Sequence, residues 1–502
     1  MKCIFRIGCI CVLLSLFGSS LDAKDQILVI GGGYSPTGNQ ASLEKNVLFF
    51  QRLVEDVHSD SCRPYVLFAD GTSDGADLQV NDPDSVPRAN RLMAEFFGSE
   101  KDIGMHYRSH AVADVRGAST PRNLEKWFDE VGTTMEEGDR LLLYVTAHGG
   151  SSKDRSDPYN TTIYMWNNGR ITVQDLIDYL DDLPEGVSVV SVMVQCHAGG
   201  FARYMFDDTD DDALVARQNR CGFFATVHSR SAAGCTPDID EADYQEYSTY
   251  FWAAIGGKDR LGRNIEPPDY NEDGMVSFDE AHAYTIIHSN TIDLPIRTSG
   301  EFLRLRSRFG NDKNTELLDK DCDFSVMMDL ANPVQRVVLD RLSEQLGLDS
   351  EDRLDVARKR VKEGSGRSSS RGRYSRRRPS RTTKASQLKS RIAGDVRRRW
   401  PELANVLSPV ATELLTTRRD EFVDAIESHP AWEEYVREKA KEQDAEKTTI
   451  SPDRMRVKYE RLLREAENVI LAHNLTLIGD EDDVAAYQRI VASEQGVLAG
   501  AL

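Results

Sequence analysis

The sequence predicts an α/β fold with a mainly parallel sheet, continued by an all-α C-terminal region. Three observations predict it. Short runs of β-branched and apolar residues recur at 26–30, 64–68, 141–147, 189–194 and 223–227. Segments with apolar residues at helical spacing separate them, so strands alternate with covering helices. Beyond about residue 300 the strand-like runs stop and charged amphipathic helical patterns replace them.

The elements follow in order. The 26–30 run ends at Gly31-Gly32-Gly33, whose spacing is not a dinucleotide fingerprint. Residues 42–57 carry Leu43, Val47, Phe50, Leu53 and Val54 on one helical face and lead to the 64–68 strand, a crossover unit. Residues 71–87 are polar and read as a loop. A helix follows over 121–131 with Ser119-Thr120 as its cap. Asn167-Asn168-Gly169 marks a hairpin, and an amphipathic helix over 172–183 leads to the 189–194 strand. A helix is expected over 244–255 after the 223–227 strand. Helical patterns then cover 327–346 and 352–361, an Arg/Ser/Gly-rich linker spans 364–386, and long helices are expected over 400–443 and 452–473. The domain scheme is therefore 1–23, 24–300, 301–363, 364–386 and 387–502.

Lys2, Arg6, the apolar stretch 8–17 and the small residues up to Ala23 have the form of a secretory signal, which predicts a secreted or periplasmic protein. No later apolar run approaches the ~20 residues a spanning helix needs. With 62 basic and 82 acidic residues the net charge is -20, which argues against general nucleic-acid binding. Nothing in the pattern sets the oligomeric state. Of 8 cysteines, three precede residue 24, leaving Cys62, Cys196, Cys221, Cys235 and Cys322. An odd number in an oxidising compartment leaves one thiol unpaired. If that thiol is Cys196, the simplest pairing of the others is Cys221 with Cys235 and Cys62 with Cys322.

Two of the buried strands end on reactive side chains: 141–147 on His148-Gly149-Gly150, and 189–194 on Gln195-Cys196-His197. In α/β sheets the carboxyl ends of strands carry the chemistry. A cysteine and a histidine delivered there suit thiol nucleophilic catalysis, with glycine amides as oxyanion donors. His197, beside the nucleophile, is the less favoured base.

Strand-His-Gly followed by strand-Cys-His-Ala-Gly resembles the caspase-like cysteine peptidases (legumains, metacaspases and clostripains). Cys196-His197-Ala198-Gly199 is similar to the metacaspase Cys-His-Ser-Gly, and Ser248-Thr249-Tyr250 to a legumain segment. The likeness covers roughly residues 24–300. It implies a caspase-like three-layer sandwich and a cysteine endopeptidase in which Cys196 attacks, His148 transfers protons and Gly149 stabilises the oxyanion. Both families carry a carboxylate two positions before the cysteine, where this chain has Val194, so their pockets do not carry over. Asp238, Asp240 and Asp243 are the substrate-binding candidates instead, and would favour a basic P1 residue.

Residues 269–280 match a calcium loop: side chains of Asp269, Asn271, Asp273, Ser277 and Glu280 and the carbonyl of Met275 as ligands, with Gly274 at the sharp turn. Pro267-Pro268 precludes an entering helix, so the expectation is one calcium in an EF-like loop without a full hand. The Arg-rich linker is a tether, an anion-binding patch or a self-cleavage site. Two other functions remain open on these residues: a non-catalytic calcium-binding scaffold, and a transpeptidase using the same dyad.

Overall fold

A computed structural model describes residues 24–57, 63–101, 103–311, 316–371, 383–448 and 450–498. The chain begins with β1 (Asp25–Gly32), α1 (Ala41–Val57), β2 (Tyr65–Phe68), β3 (Leu78–Asn81), α2 (Arg88–Phe97), β4 (Met105–Arg108) and β5 (Val115–Gly117). It continues with α3 (Pro121–Glu130), β6 (Arg140–Gly150), β7 (Thr162–Met165), β8 (Gly169–Thr172), α4 (Val173–Asp181), β9 (Ser188–Met193) and β10 (Asn219–Phe224). Then come α5 (Tyr247–Gly256), α6 (Phe278–His288), β11 (Ile296–Arg297) and α7 (Thr298–Arg306). The remainder is helical: α8 (Phe324–Leu330), α9 (Pro333–Leu346), α10 (Arg353–Arg371), α11 (Lys384–Arg399), α12 (Pro409–Leu415), α13 (Arg419–Glu427), α14 (Trp432–Thr448), α15 (Pro452–Ile478) and α16 (Glu481–Glu494).

The fold is α/β, with a nine-stranded sheet in the order β11-β10-β9-β6-β1-β2-β5, and β7 and β8 hooked onto the end of β6. Pairings are parallel from β10 to β5. Only β11 and the β7–β8 hairpin run antiparallel. Alternation along each strand divides the core between two faces. Leu142 and Tyr144 face α1 and α5, where Tyr144 meets Phe50 and Trp252. Leu141, Leu143 and Val145 face α3 and α4 with Trp127, Leu176 and Phe201. Thr120 caps α3, and Thr172 forms a capping box with Asp175 at the start of α4, as Ser/Thr at these positions favours.

Four expectations are corrected. The loop expected over 71–87 contains β3, which pairs with β4 to form a separate two-stranded sheet. That strand is too short for its alternation to stand out among Asp, Gly and Pro. The linker expected from 364 is helical to Arg371 as the end of α10; residues 372–382 lie outside the described ones. The long helix expected over 400–443 is broken into a short turn, α12, α13 and α14, with Pro401, Pro409 and Pro430 at the breaks.

The fourth correction concerns the C-terminal region. Its helices divide among three apolar clusters. α11–α14 share an apolar cluster with α2, through Leu92, Phe96, Ile392, Trp400 and Phe422. α15 and α16 contribute Leu471, Leu475 and Ile490 to the sheet core, while Leu462 and Ile470 of α15 pack in a third cluster with α8–α10. Buried Arg297, on β11, faces Asp279 at 3.2 Å, Glu465 of α15 at 2.9 Å and Glu494 of α16 at 3.6 Å. Arg461 of α15 donates to the carbonyls of Ile286, Ser289 and Asp293. A guanidinium so enclosed is costly to bury unless every donor finds a partner, and here partners come from distant segments. Among the described residues no helix is long and apolar enough to cross a membrane. The leader expected at 1–23 lies outside them.

Candidate active site

β6 and β9 are adjacent parallel strands, in register at Val145 and Met193, and the Val194 amide donates to the Val145 carbonyl at 3.0 Å. Their ends therefore bring the His148 and Cys196 segments side by side. The approach is close enough that a Cβ on Gly149 would lie 2.0 Å from the Cys196 carbonyl oxygen, so only glycine fits there.

The imidazole of His148 is fixed by its far nitrogen. Nε2 lies 2.8 Å from the Gly38 carbonyl, which can only accept, so Nε2 carries the hydrogen and Nδ1 of the neutral ring keeps its lone pair. Tyr34 packs edge-on against the ring at 5.5 Å. Burial holds the His148 pKa below the ordinary histidine value, with the Gly38 bond opposing in part. A neutral imidazole with Nδ1 available as a base is the result.

Nδ1 faces the Sγ of Cys235 at 3.6 Å, the thiol as donor. Cys196 is half-buried, and its Sγ accepts the Ala232 amide at 3.3 Å. Both contacts come from the loop after β10. The expected Cys221–Cys235 bridge is therefore wrong. Cys221 lies fully buried inside β10, Cys235 opens to solvent beside His148, and both are free thiols. Cys322 is also free, and its expected partner Cys62 lies outside the described residues. Cys235 keeps solvent access on one side but is flanked by protein elsewhere. This desolvation, with Cys196 and Glu246 nearby, pushes its thiol up to about 12. His197 is held by another segment: its backbone is left-handed at φ 62°, and Nδ1 lies 2.7 Å from the His228 carbonyl. That carbonyl accepts from Nδ1, so in the neutral ring the lone pair lies on Nε2.

A cleft of about 940 Å³ adjoins Cys235, lined among others by Asp238, Asp243, Glu246, Asp444 and Arg454. Asp238 accepts from Asn81 at 2.7 Å and from Thr236 at 3.0 Å. Asp240 instead accepts the Ala242 amide and does not line the cleft. Glu246, which sequence reasoning passed over, is buried and ion-paired with Arg260. Asp444 and Arg454 bring α14 and α15 to the cleft wall.

The 269–280 loop turns at Gly274 (φ 86°) and has no helix before it, since α5 ends at Gly256. Its side chains are engaged with its own backbone. Asp269 accepts the Asp273 and Gly274 amides at 3.0 and 2.8 Å, and Asp273 the Met275 amide at 2.9 Å. Glu280, fully buried, accepts the amides of Tyr270, Asn271 and Ser277 and also the Ser277 hydroxyl. The donor set suits calcium, but Asp269, Asp273 and Glu280 do not converge. Among the described residues, Asp70, Asp77 and His110 do gather, with one ligand atom from each within 4.8 Å of the others.

No family profile and no curated protein matches the chain. Among solved structures it is similar to protein GSU0716 from Geobacter sulfurreducens, at 11% identity and a TM-score of 0.30, over 52% of this chain and 88% of that one. A likeness at that level carries no functional argument.

Sequence reasoning missed Cys235, Glu246 and the Asp70/Asp77/His110 group. For Cys235 the cue is structural: Gly234 before it is held at φ 131° against Glu246, a constraint that the Gly-Cys pair alone does not reveal.

Proposed function

We propose that this protein is a cysteine endopeptidase of caspase-like three-layer architecture, in which Cys196 attacks the peptide carbonyl and His148 transfers the protons. The observation that carries this reading is the tautomer of His148: Nε2–H is held by Gly38, so Nδ1 keeps its lone pair, on a strand end that lies beside the one bearing Cys196. The Cys196 thiolate forms the tetrahedral adduct, the amides of Gly149 and Cys196 receive the oxyanion, and protonated Nδ1 donates to the departing amine. Water then attacks the thioester, with His148 as base. Asp238 and Asp243 in the cleft favour a basic P1 side chain, and calcium in the 269–280 loop would tie its two ends together. Secretion would follow from the leader.

The test is hydrolysis of peptides differing only at P1. Cleavage after Arg or Lys is expected, with Cys196→Ala and His148→Ala each lowering kcat/KM by about 10³-fold or more. Because burial lowers the His148 pKa, the acidic limb of kcat/KM should fall below the ordinary histidine value of about 6.5. A limb at or above that value would remove His148 from the role of base.

One observation favours a second reading, a non-catalytic scaffold: Nδ1 is engaged by the Cys235 thiol. Cys235→Ala separates the two. On the peptidase reading it frees the base, and activity holds or rises. A loss as large as that of Cys196→Ala would make Cys235 the nucleophile. Silence of every peptide, with Cys196 inert to iodoacetamide, would leave the scaffold.

A further inference from the structure

We propose that Asp70, Asp77 and His110 form a site for one divalent transition-metal cation, with zinc as the first probe, and that the cation locks the 33–39 loop. The three side chains come from separate places at one edge of the fold. Asp70 follows the end of β2, Asp77 immediately precedes β3, and His110 lies two residues past β4. Their ligand atoms lie within 4.8 Å of one another.

The hydrogen-bond pattern is what asks for a cation. His110 Nε2 lies 2.8 Å from the Gly71 carbonyl, so Nε2 carries the hydrogen and Nδ1 presents a lone pair. Nδ1 is buried and has no hydrogen-bond partner, and neither has Asp70 Oδ1. Asp77 is 1% exposed. The buried Asp77 carboxylate, the buried Oδ1 of partly exposed Asp70 and an imidazole lone pair facing one another repel, and each unpaired atom forfeits its hydration. A divalent ion between them removes both penalties. Backbone carbonyls that fix a histidine through its far nitrogen are the usual outer support of such ligands. One imidazole with two carboxylates suits zinc or manganese better than calcium, which prefers oxygen alone.

The site is wired to the neighbouring loop. Asn39 donates through Nδ2 to the carbonyl and Oδ2 of Asp77, both at 3.1 Å, and accepts the Gly33 amide at 3.0 Å. Gly38, which holds His148, lies inside that loop. Ion binding at Asp77 therefore fixes the segment that sets the His148 tautomer. The metal site itself does not depend on the peptidase reading.

The test uses the full mature chain, stripped with a chelator and dialysed separately against zinc and manganese, with bound metal counted after gel filtration. About one equivalent is expected, bound through Nδ1 and two carboxylates. It should persist in Glu280→Gln, which alters only the 269–280 loop, and be lost in both Asp70→Asn and His110→Gln. Two variants guard against one misfolding, and each must unfold cooperatively in chelator at a temperature no lower than the wild type. Hydrogen exchange of the Gly33 amide should slow on adding zinc to the wild type and stay unchanged in Asp70→Asn. Retention of metal by both variants, no retention by the wild type, or an imidazolium His110 carrying two N–H protons without metal would each overturn the proposal.

Discussion

Residues 269–280 and the Asp70/Asp77/His110 group are both candidate cation sites, and they are built in opposite ways. The first is one contiguous segment with motif spacing, and its carboxylates already accept the loop's own amides. The second has no motif and draws on three segments, yet two of its buried polar atoms lack any partner. Spacing along the chain therefore identifies residues able to ligate. Whether their electrostatics demand an ion depends on what else satisfies them once the chain is folded.

Glu280→Ala should give the largest effect by which this contrast can be broken. It orphans three amides and a hydroxyl around a buried site, and a loss of about 3 kcal/mol in urea unfolding is expected even in chelator. A loss below about 1 kcal/mol would mean that the loop does not depend on its own hydrogen bonds for shape.

Asp70→Asn should behave differently. In chelator it removes a partly buried like charge, so stability should hold or rise. With zinc present the wild type should become the more stable of the two. Destabilisation in both conditions would make Asp70 an ordinary structural carboxylate.

Acid sharpens the difference. Burial raises the carboxyl pKa values of Asp70 and Asp77, so the folded state binds protons more readily than the unfolded chain. In chelator, protonation of these groups adds stability as pH falls from neutral through their raised pKa values towards the unfolded value of 3.8. The advantage of Asp70→Asn should therefore shrink on acidification. With zinc the sign reverses, because protons displace the metal. His282 contributes separately: burial holds its pKa well below that of an unfolded histidine, so stability is lost as pH drops below about 6.5. Each pH unit beneath that value costs up to about 1.4 kcal/mol for one such group. That cost is common to wild type and variant, so their difference isolates the aspartates.

The smallest effect belongs to Asp273→Ala. Asp273 is exposed, and its loss should move chelator stability by no more than about 0.5 kcal/mol. A larger drop would show that the loop tolerates no missing side chain.

Much of the α/β core was legible, because buried parallel strands leave uninterrupted apolar runs and β1, β6 and β9 each lie where such a run lies. The His148 and Cys196 segments were legible for the same reason, being where two such runs stop. β3 and β4 were not, since a short strand outside the main sheet has too little burial to impose a pattern. The partition of the C-terminal helices was hidden as well. α15 and α16 are amphipathic, as α11 is, but only folding brings Glu465 and Glu494 to Arg297.

The sequence by itself determined the α/β class, the strand ends that carry His148 and Cys196, and the glycine beside them, because these follow from local burial period and backbone sterics. The tertiary structure alone decided which nitrogen of His148 is protonated, that Cys235 faces it, that Cys221 is out of reach, and that Asp70, Asp77 and His110 meet. Each of those depends on contacts between segments tens to hundreds of residues apart, which no local pattern encodes.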